Sequence, residues 1–179
     1  MQNNFLSPGS IFDQMEIKEG MTVADLGCGS GFMSASAAKR VGNEGTVYAV
    51  DVQERAISEI NSKIKLFNLR NIKPILANLE KVGSTKIPDN SVDISLLVQV
   101  LHQSKKREGM FAEAKRVTKS GGQILIIEWN KKEGIFGTPK KLSLDKKTLK
   151  KEAEAAGFNY LKEIRTDKLH YGFLMENVG

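Results

Sequence analysis

The run Val23-Ala24-Asp25-Leu26 leads straight into Gly27-Cys28-Gly29-Ser30-Gly31, and a helical pattern from Phe32 to Val41 starts immediately behind it. No other feature restricts the possible folds so sharply. A short apolar run without polar alternation reads as a strand covered on both faces. The glycines let the backbone turn tightly and approach a ligand with no Cβ in the way. The helix that follows aims its free amide groups at whatever sits in the loop. A second apolar run, Thr46 to Val50, ends in Asp51, twenty residues after Gly31. An acidic side chain at that place can accept hydrogen bonds from both hydroxyls of a ribose.

The remainder of the chain repeats this strand–helix alternation. Ile57, Ile60, Ile64 and Phe67 form an apolar helix stripe. Ile72 to Leu76 is a weak strand interrupted by Pro74, residues 77 to 91 read as loop, and Val92 to Val98 has the length of a buried strand. Met110, Ala114 and Val117 mark another helix, and Gly121-Gly122 reads as a turn into a strand over Gln123 to Ile127. Leu149, Ala153 and Ala156 lie on a helix that Gly157 can cap at C′. Asn159 to Ile164 and His170 to Glu176 follow each other without a helix between them, which predicts an antiparallel hairpin at one edge, with an edge strand opening at His170. The expected fold is α/β. It is a three-layer sandwich whose mostly parallel, seven-stranded sheet has helices on both faces and an antiparallel C-terminal hairpin. No repeat or linker breaks the chain. Residues 1–179 read as one domain, with a short N-terminal segment over 1–20 and a lid-like loop over 130–142, where Gly134, Gly137 and Pro139 fall.

The glycine spacing separates two cofactor classes. A dinucleotide fingerprint needs Gly-x-Gly-x-x-Gly or Ala. Counted from Gly27 the last position is Phe32, and counted from Gly29 it is Ser34, so neither register fits. The observed Gly-x-Gly-x-Gly, with Asp25 two residues ahead, resembles motif I of class I, Rossmann-like S-adenosylmethionine-dependent methyltransferases. Ala49-Val50-Asp51 is similar to their motif II. Ser91-Val92-Asp93-Ile94 through Val100-Leu101-His102 resembles the motif of their fourth strand, and Gly121 to Ile126 that of the fifth. The branch that looks most similar is the ubiquinone/menaquinone-biosynthesis C-methyltransferase type.

The resemblance implies S-adenosyl-L-methionine as methyl donor, S-adenosyl-L-homocysteine as product, and a role for each matching residue. Gly27, Gly29 and Gly31, with Cys28 and Ser30 between them, line the methionine moiety, and Asp25 holds its ammonium directly or through water. Asp51 binds the ribose, and Val52 packs on the adenine. Asn78 and Leu79 meet the adenine edge. Many relatives carry aspartate where Asn78 stands, so that contact departs from the family pattern. Val98 and Gln99 flank the reacting methyl.

Methyl transfer asks mainly for alignment and exclusion of water, and a base is needed only when the acceptor must lose a proton. His102, just past the fourth strand, is the candidate base, weighed against an ordinary helix-start histidine. His170 is the weaker alternative, and Glu128 and Trp129 are candidates for shaping the acceptor pocket. Asp93 begins its strand at the far end and reads as structural. Cys28 is the sole cysteine, so no intrachain disulfide forms, and no base or cation stands near it in sequence to make it a nucleophile. Two distant histidines and one cysteine do not make a metal site.

Charge is concentrated in one place. Residues 131–151 hold eight lysines against Glu133 and Asp145, a surplus that equals the net +6 of the whole chain. Such a field attracts an anionic acceptor, an anionic surface or RNA; a plain solvated lysine face is the competing explanation. The primary expectation is a small-molecule acceptor. RNA methylation competes, favoured by a pI near 9.3, but no appended RNA-binding domain or Asn-Pro-Pro-Tyr type motif accompanies it. A non-catalytic adenosylmethionine binder is the third reading. The first residues lack a signal-peptide pattern and no stretch is long enough to span a bilayer, which predicts a cytoplasmic protein. Oligomeric state is not encoded in any pattern of this kind.

Overall fold

The computed structural model describes residues 6–130 and 143–179. The elements follow in the order α1 (Pro8–Phe12), β1 (Thr22–Leu26), α2 (Phe32–Val41), β2 (Thr46–Asp51), α3 (Glu54–Phe67), β3 (Ile72–Leu76), β4 (Val92–Val98), a 3₁₀ turn (Leu101–Gln103), α4 (Arg107–Val117), β5 (Thr118–Trp129), α5 (Lys146–Ala155), β6 (Phe158–Ile164) and β7 (His170–Asn177). The seven strands form one sheet in the order β3-β2-β1-β4-β5-β7-β6. The pairings from β3 to β5 are parallel, and β7 runs antiparallel to both its neighbours. Successive crossovers carry the chain outward from β1 to β3 and then back across to β4. The order therefore reverses between β1 and β4, and a crevice opens there at the carboxyl ends of the strands.

Both faces of the sheet are covered, which explains the unbroken apolar runs of its central strands. Leu97, Ile124, Ile126, Phe173 and Met175 pack under α4 and α5 against Phe111, Ala114 and Leu149. The alternate residues Leu96, Leu125, Ile127 and Leu174 pack on the other face with Phe12, Ala37 and Val41. The period of two along β4, β5 and β7 thus feeds two cores at once.

Two sequence expectations need correction. First, β7 is an interior strand and β6 is the edge. His170 to Met175 are all buried, because β7 is covered on both faces and paired on both sides, whereas β6 exposes Leu161 and three polar neighbours. Second, Gly121-Gly122 does not start a fresh strand. It lies in a widened stretch of a longer one: Val92 pairs with Thr118 and Ile94 with Gln123, so β5 takes five residue steps against two on β4. Within the short N-terminal segment, α1 is capped by Ser7 and tied down by buried Ile11 and Phe12. On α3 only Ile60 of the apolar stripe is fully buried, and Phe67 stays half exposed. The lid-like stretch lies outside the described residues over 131–142, and so does the first half of the lysine-rich segment. Of the described lysines there, Lys146 pairs with Glu163, and Lys150 sits 3.5 Å above the Tyr160 ring and 3.9 Å from Glu154. Among the described residues, no helix is long and apolar enough to cross a membrane.

The long connection after β3 is fixed by one buried carboxylate. Glu113 on α4 accepts from the backbone of Gly83, from Thr85 Oγ1 and from Arg116. Burial alone raises a carboxyl pKa, but these bonds and the adjacent guanidinium outweigh it and hold Glu113 down at about 2. Residues 78–80 at the head of this connection thereby reach the crevice on a braced loop.

Candidate functional site

A cavity of about 820 Å³ occupies the crevice, near the upper end of the usual small-molecule range of about 300–1,000 Å³. The glycine loop forms one wall. Gly27 N and Cys28 N both donate to Val50 O at 2.8 Å, so the loop is stitched to the end of β2. Asp51, the last residue of β2, completes the stitch. Its Oδ2 accepts from Gly29 N and its Oδ1 from Gln53 N, each at 2.9 Å. Asp51 also lines the cavity. Each carboxylate oxygen keeps a lone pair for a further donor, so the loop presents two adjacent acceptors to a ligand bearing two neighbouring hydroxyls.

Two of the glycines serve different ends. Gly29 lines the cavity with φ +49°, a left-handed backbone that strains any residue bearing a Cβ. Gly31 does not line the cavity; at φ +75° it begins α2, and a Cβ would come within 1.9 Å of Ile60 Cδ1. Gly31→Ala is therefore expected to lower stability by about 2–4 kcal/mol, combining left-handed backbone strain with overpacking. In chemical denaturation, adding Ile60→Ala should not worsen this by its usual cost, because it relieves the clash. Strictly additive losses would contradict the steric account.

Asp25 is buried beneath the loop and accepts a short hydrogen bond from Ser34 Oγ, yet it also borders the cavity. Burial pushes its carboxyl up to about 6 in spite of the Ser34 bonds. Cys28 borders the cavity as well, and burial with the nearby charges of Asp25 and Asp51 pushes its thiol far up. It is a small neutral residue, inert as a nucleophile. Ser30 joins the same wall, and Val52 stands at the rim with Phe32, both more than half exposed.

The far wall comes from β3, β4 and their loops. Asn78 and Leu79 line it; Asn78 Oδ1 is already accepting from Glu80 N at 2.9 Å, which closes a local turn. Val98 and Gln99 complete it. Gln99 has φ +54°, in the left-handed region that a residue with a Cβ rarely takes, while its N–H is held by Ile127 O at 2.8 Å.

Of the two histidines, the structure brings His170 to the cavity and leaves His102 out of it. His102 lies in the 3₁₀ turn, which swings it back onto β5. Its Nδ1 meets Glu128 Oε2 at 2.9 Å, and Glu128 Oε1 accepts from the N–H of Leu101 and of His102. Glu128 is fully buried and fastens this turn, so it does not shape the cavity either. Asp93 is structural: it accepts from Thr22 N and pairs with Lys119 at the opposite end of the sheet. Trp129 does line the cavity, beside His170. Sequence patterns did not reveal Met110, Gln103, Ser104 and Leu169 as lining residues. They belong to turns and helix starts whose positions depend on how distant strands align.

The observations suit an adenosyl ligand: paired acceptors on Asp51, glycines lining the cavity wall at 27 and 29, and a buried carboxylate beneath the loop. The fold and site define a class of open α/β protein with a ligand-sized crevice at the reversal of strand order. A family model described as a methyltransferase domain matches residues 17–174, and the chain belongs to that family. It is 29% identical, over 119 residues, to the ubiquinone/menaquinone biosynthesis C-methyltransferase UbiE of Burkholderia cenocepacia (strain HI2424), covering 66% of this chain and 47% of that protein. It is 30% identical, over 118 residues, to the demethylmenaquinone methyltransferase of Geobacillus kaustophilus, covering 66% and 49%. The chain spans about half the length of the curated relatives it matches. The crystal structure of a SAM-dependent methyltransferase from Aquifex aeolicus superposes with a TM-score of 0.88 at 29% identity, covering 96% of this chain and 90% of that one. Family and fold make this a methyltransferase domain of the Rossmann-like class.

Proposed function

We propose that the chain methylates a small-molecule acceptor held beside Gln99, with the donor lying between the glycine loop and Asp51. The observation that carries this reading is Asp51: one oxygen braces the glycine loop at Gly29, the other the turn at Gln53, and the residue lines the cavity. In this reading Asp51 takes the ribose hydroxyls, and Val52 covers one face of the adenine. Asn78 and Leu79 border the adenine edge. Gly27, Gly29 and Ser30 offer backbone to the methionine end, and Asp25 meets its ammonium, a cation that draws the carboxyl toward its charged form. When bound, the donor supplies an electrophilic methyl group on a sulfonium. The protein's share is to hold the acceptor in line with that methyl and keep water away, a task for Val98, Gln99 and the apolar side chains of Met110, Leu169 and Trp129.

The relatives named for C-methylation of quinone precursors favour a small cyclic acceptor over RNA. Calorimetry with S-adenosylmethionine, S-adenosylhomocysteine and NAD tests the donor site. The two adenosyl ligands are expected to bind in the micromolar range and NAD not at all. Binding of NAD alone would overturn the reading. The acceptor class is tested by following S-adenosylhomocysteine release over a panel of small aromatic acceptors and bulk RNA, and release with RNA alone would reverse the preference.

A further inference from the structure

We propose that His170 is a positioning residue: it sets which end of the Gln99 carboxamide faces the cavity, and so makes the site prefer the cationic sulfonium of the donor to the neutral thioether of the product. This rests on the donor placement proposed above. Gln99 follows β4 at the cavity wall with its backbone pinned on both sides. Its N–H donates to Ile127 O at 2.8 Å, and its carbonyl accepts from Gln103 Nε2 at 3.1 Å. The left-handed φ of +54° leaves the side chain few ways to point. At its end, the amide nitrogen meets His170 Nε2. The amide oxygen accepts from no described residue, and it is not sealed in the interior either; it opens onto the cavity that Gln99 lines.

His170 is held from three sides. Its Nδ1 stands 2.7 Å from Asp167 Oδ1, an oxygen that also accepts from Leu169 N at 2.8 Å. Its carbonyl accepts from Thr166 Oγ1 at 2.8 Å, and its ring lies 4.2 Å from that of Trp129 between centroids. With only 4% of its side chain exposed, the imidazole has no room for a ligand of its own, so Gln99 is its route to the cavity. The bond to Asp167 fixes the tautomer. With Nδ1–H donated to the carboxylate, the neutral ring leaves Nε2 as an acceptor. The Gln99 N–H₂ then donates to it, which is the arrangement observed, and the amide oxygen is left to the cavity. A protonated ring carries Nε2–H and needs an acceptor there. The amide supplies one by a half-turn, which puts its N–H₂ into the cavity instead.

The two arrangements present opposite ends of one dipole to a bound ligand. An amide oxygen attracts a nearby positive charge, and an N–H₂ group repels it. S-adenosylmethionine and S-adenosylhomocysteine differ by a methyl group and the positive charge on sulfur, so the end of the amide that faces them sorts one from the other. Neutral His170 thus favours loading of the donor and departure of the spent product. Of the charged groups around the ring, Asp167 alone touches it. Asp25 and Asp51 line the same cavity, Glu128 on β5 is engaged by His102, and Lys168 on the β6–β7 loop is exposed. Asp167 offsets the charge of an imidazolium at a distance, so the reversed amide carries the effect.

The test is calorimetric binding of S-adenosylmethionine and S-adenosylhomocysteine to the full chain across a pH series, with nitrogen NMR of both histidines over the same series. The quantity read is the ratio of the two Kd values. Titration of Asp25 acts on the amino-acid end that both ligands share and cancels in this ratio. Wild-type protein is expected to favour S-adenosylmethionine while His170 is neutral. The preference should fall about tenfold, or about 1.4 kcal/mol, in step with the His170 signal and not with that of His102. In His170→Gln the ratio should be flat with pH, and in Gln99→Leu the preference should be absent throughout. A purely structural His170 would weaken both ligands alike and leave the ratio and its pH dependence as they are in wild type. Should a variant fail to fold, the wild-type ratio and NMR signals decide. A ratio that stays constant while His170 takes its proton, one that follows His102, or an unaltered pH dependence in His170→Gln overturns the proposal. Failure of both ligands to bind wild-type protein at any pH would instead overturn the donor placement.

Discussion

Replacing Asp51 with alanine is expected to weaken S-adenosylmethionine binding about 100-fold or more while leaving the fold intact. The proposed bonds to the two ribose hydroxyls are charge-assisted, each worth about 1.5–3 kcal/mol, so losing both costs at least about 3 kcal/mol. A further loss comes from the protein itself, because Gly29 N and Gln53 N give up the acceptors that hold the loop in place. Asp51→Asn keeps one acceptor oxygen and should fall between the two. Calorimetry on all three proteins, with a thermal melt of each as control, makes the measurement. An alanine variant that binds within threefold of wild type would remove Asp51 from the donor site.

Asp25→Asn is expected to stabilise the free protein at pH 8 and to weaken the donor site. The Asp25 carboxyl is raised from 3.8 to about 6 on folding, chiefly by burial. Its stabilising contribution is complete below pH 4 and is lost as pH rises through 6, because the folded state then holds a buried charge that the unfolded chain bears freely. The loss amounts to about 3 kcal/mol at 1.36 kcal/mol per pH unit. Asparagine stays neutral throughout and can still accept from Ser34. The variant should melt several degrees above wild type at pH 8 and close to it at pH 4. Equal or lower melting at pH 8 would show that the carboxylate is better solvated than its burial implies. Such a gain in stability with a loss of binding is the pattern expected where a charge is kept for a ligand.

What sequence could reveal here depended on how local the signal was. Asp51 was legible because a strand end, a glycine loop and an acid lie within about thirty residues, and their geometry follows from one strand–helix–strand unit. The length of β4 and the capping of α5 by Gly157 were equally local. His170 was not, although the residue itself was visible. Its place beside Trp129 depends on the pairing of β5 with β7, forty-one residues apart, and on β7 lying inside the sheet. His102 misled for the same reason in reverse. Its position after β4 put it near the crevice in sequence, but a single 3₁₀ turn and a buried Glu128 draw it away. The widened stretch at Gly121 and Gly122 was hidden too, since glycines mark a turn and a bulge alike.

The insertion of β7 between β5 and β6 has a consequence for how this molecule is made. During synthesis β5 emerges long before β7, and β6 emerges next to nothing it can pair with. Until residues 170–177 leave the ribosome, β5 presents an open edge with Leu125 and Ile127 behind it, the sort of surface that invites pairing with another chain. Asn177, at the end of β7, then fastens the strand by donating to Lys115 O and Thr118 O. The same late strand carries His170, so the wall beside Gln99 is finished only when the sheet is. A nascent chain therefore gains the glycine-loop wall of the cavity well before it gains the wall that His170 lines.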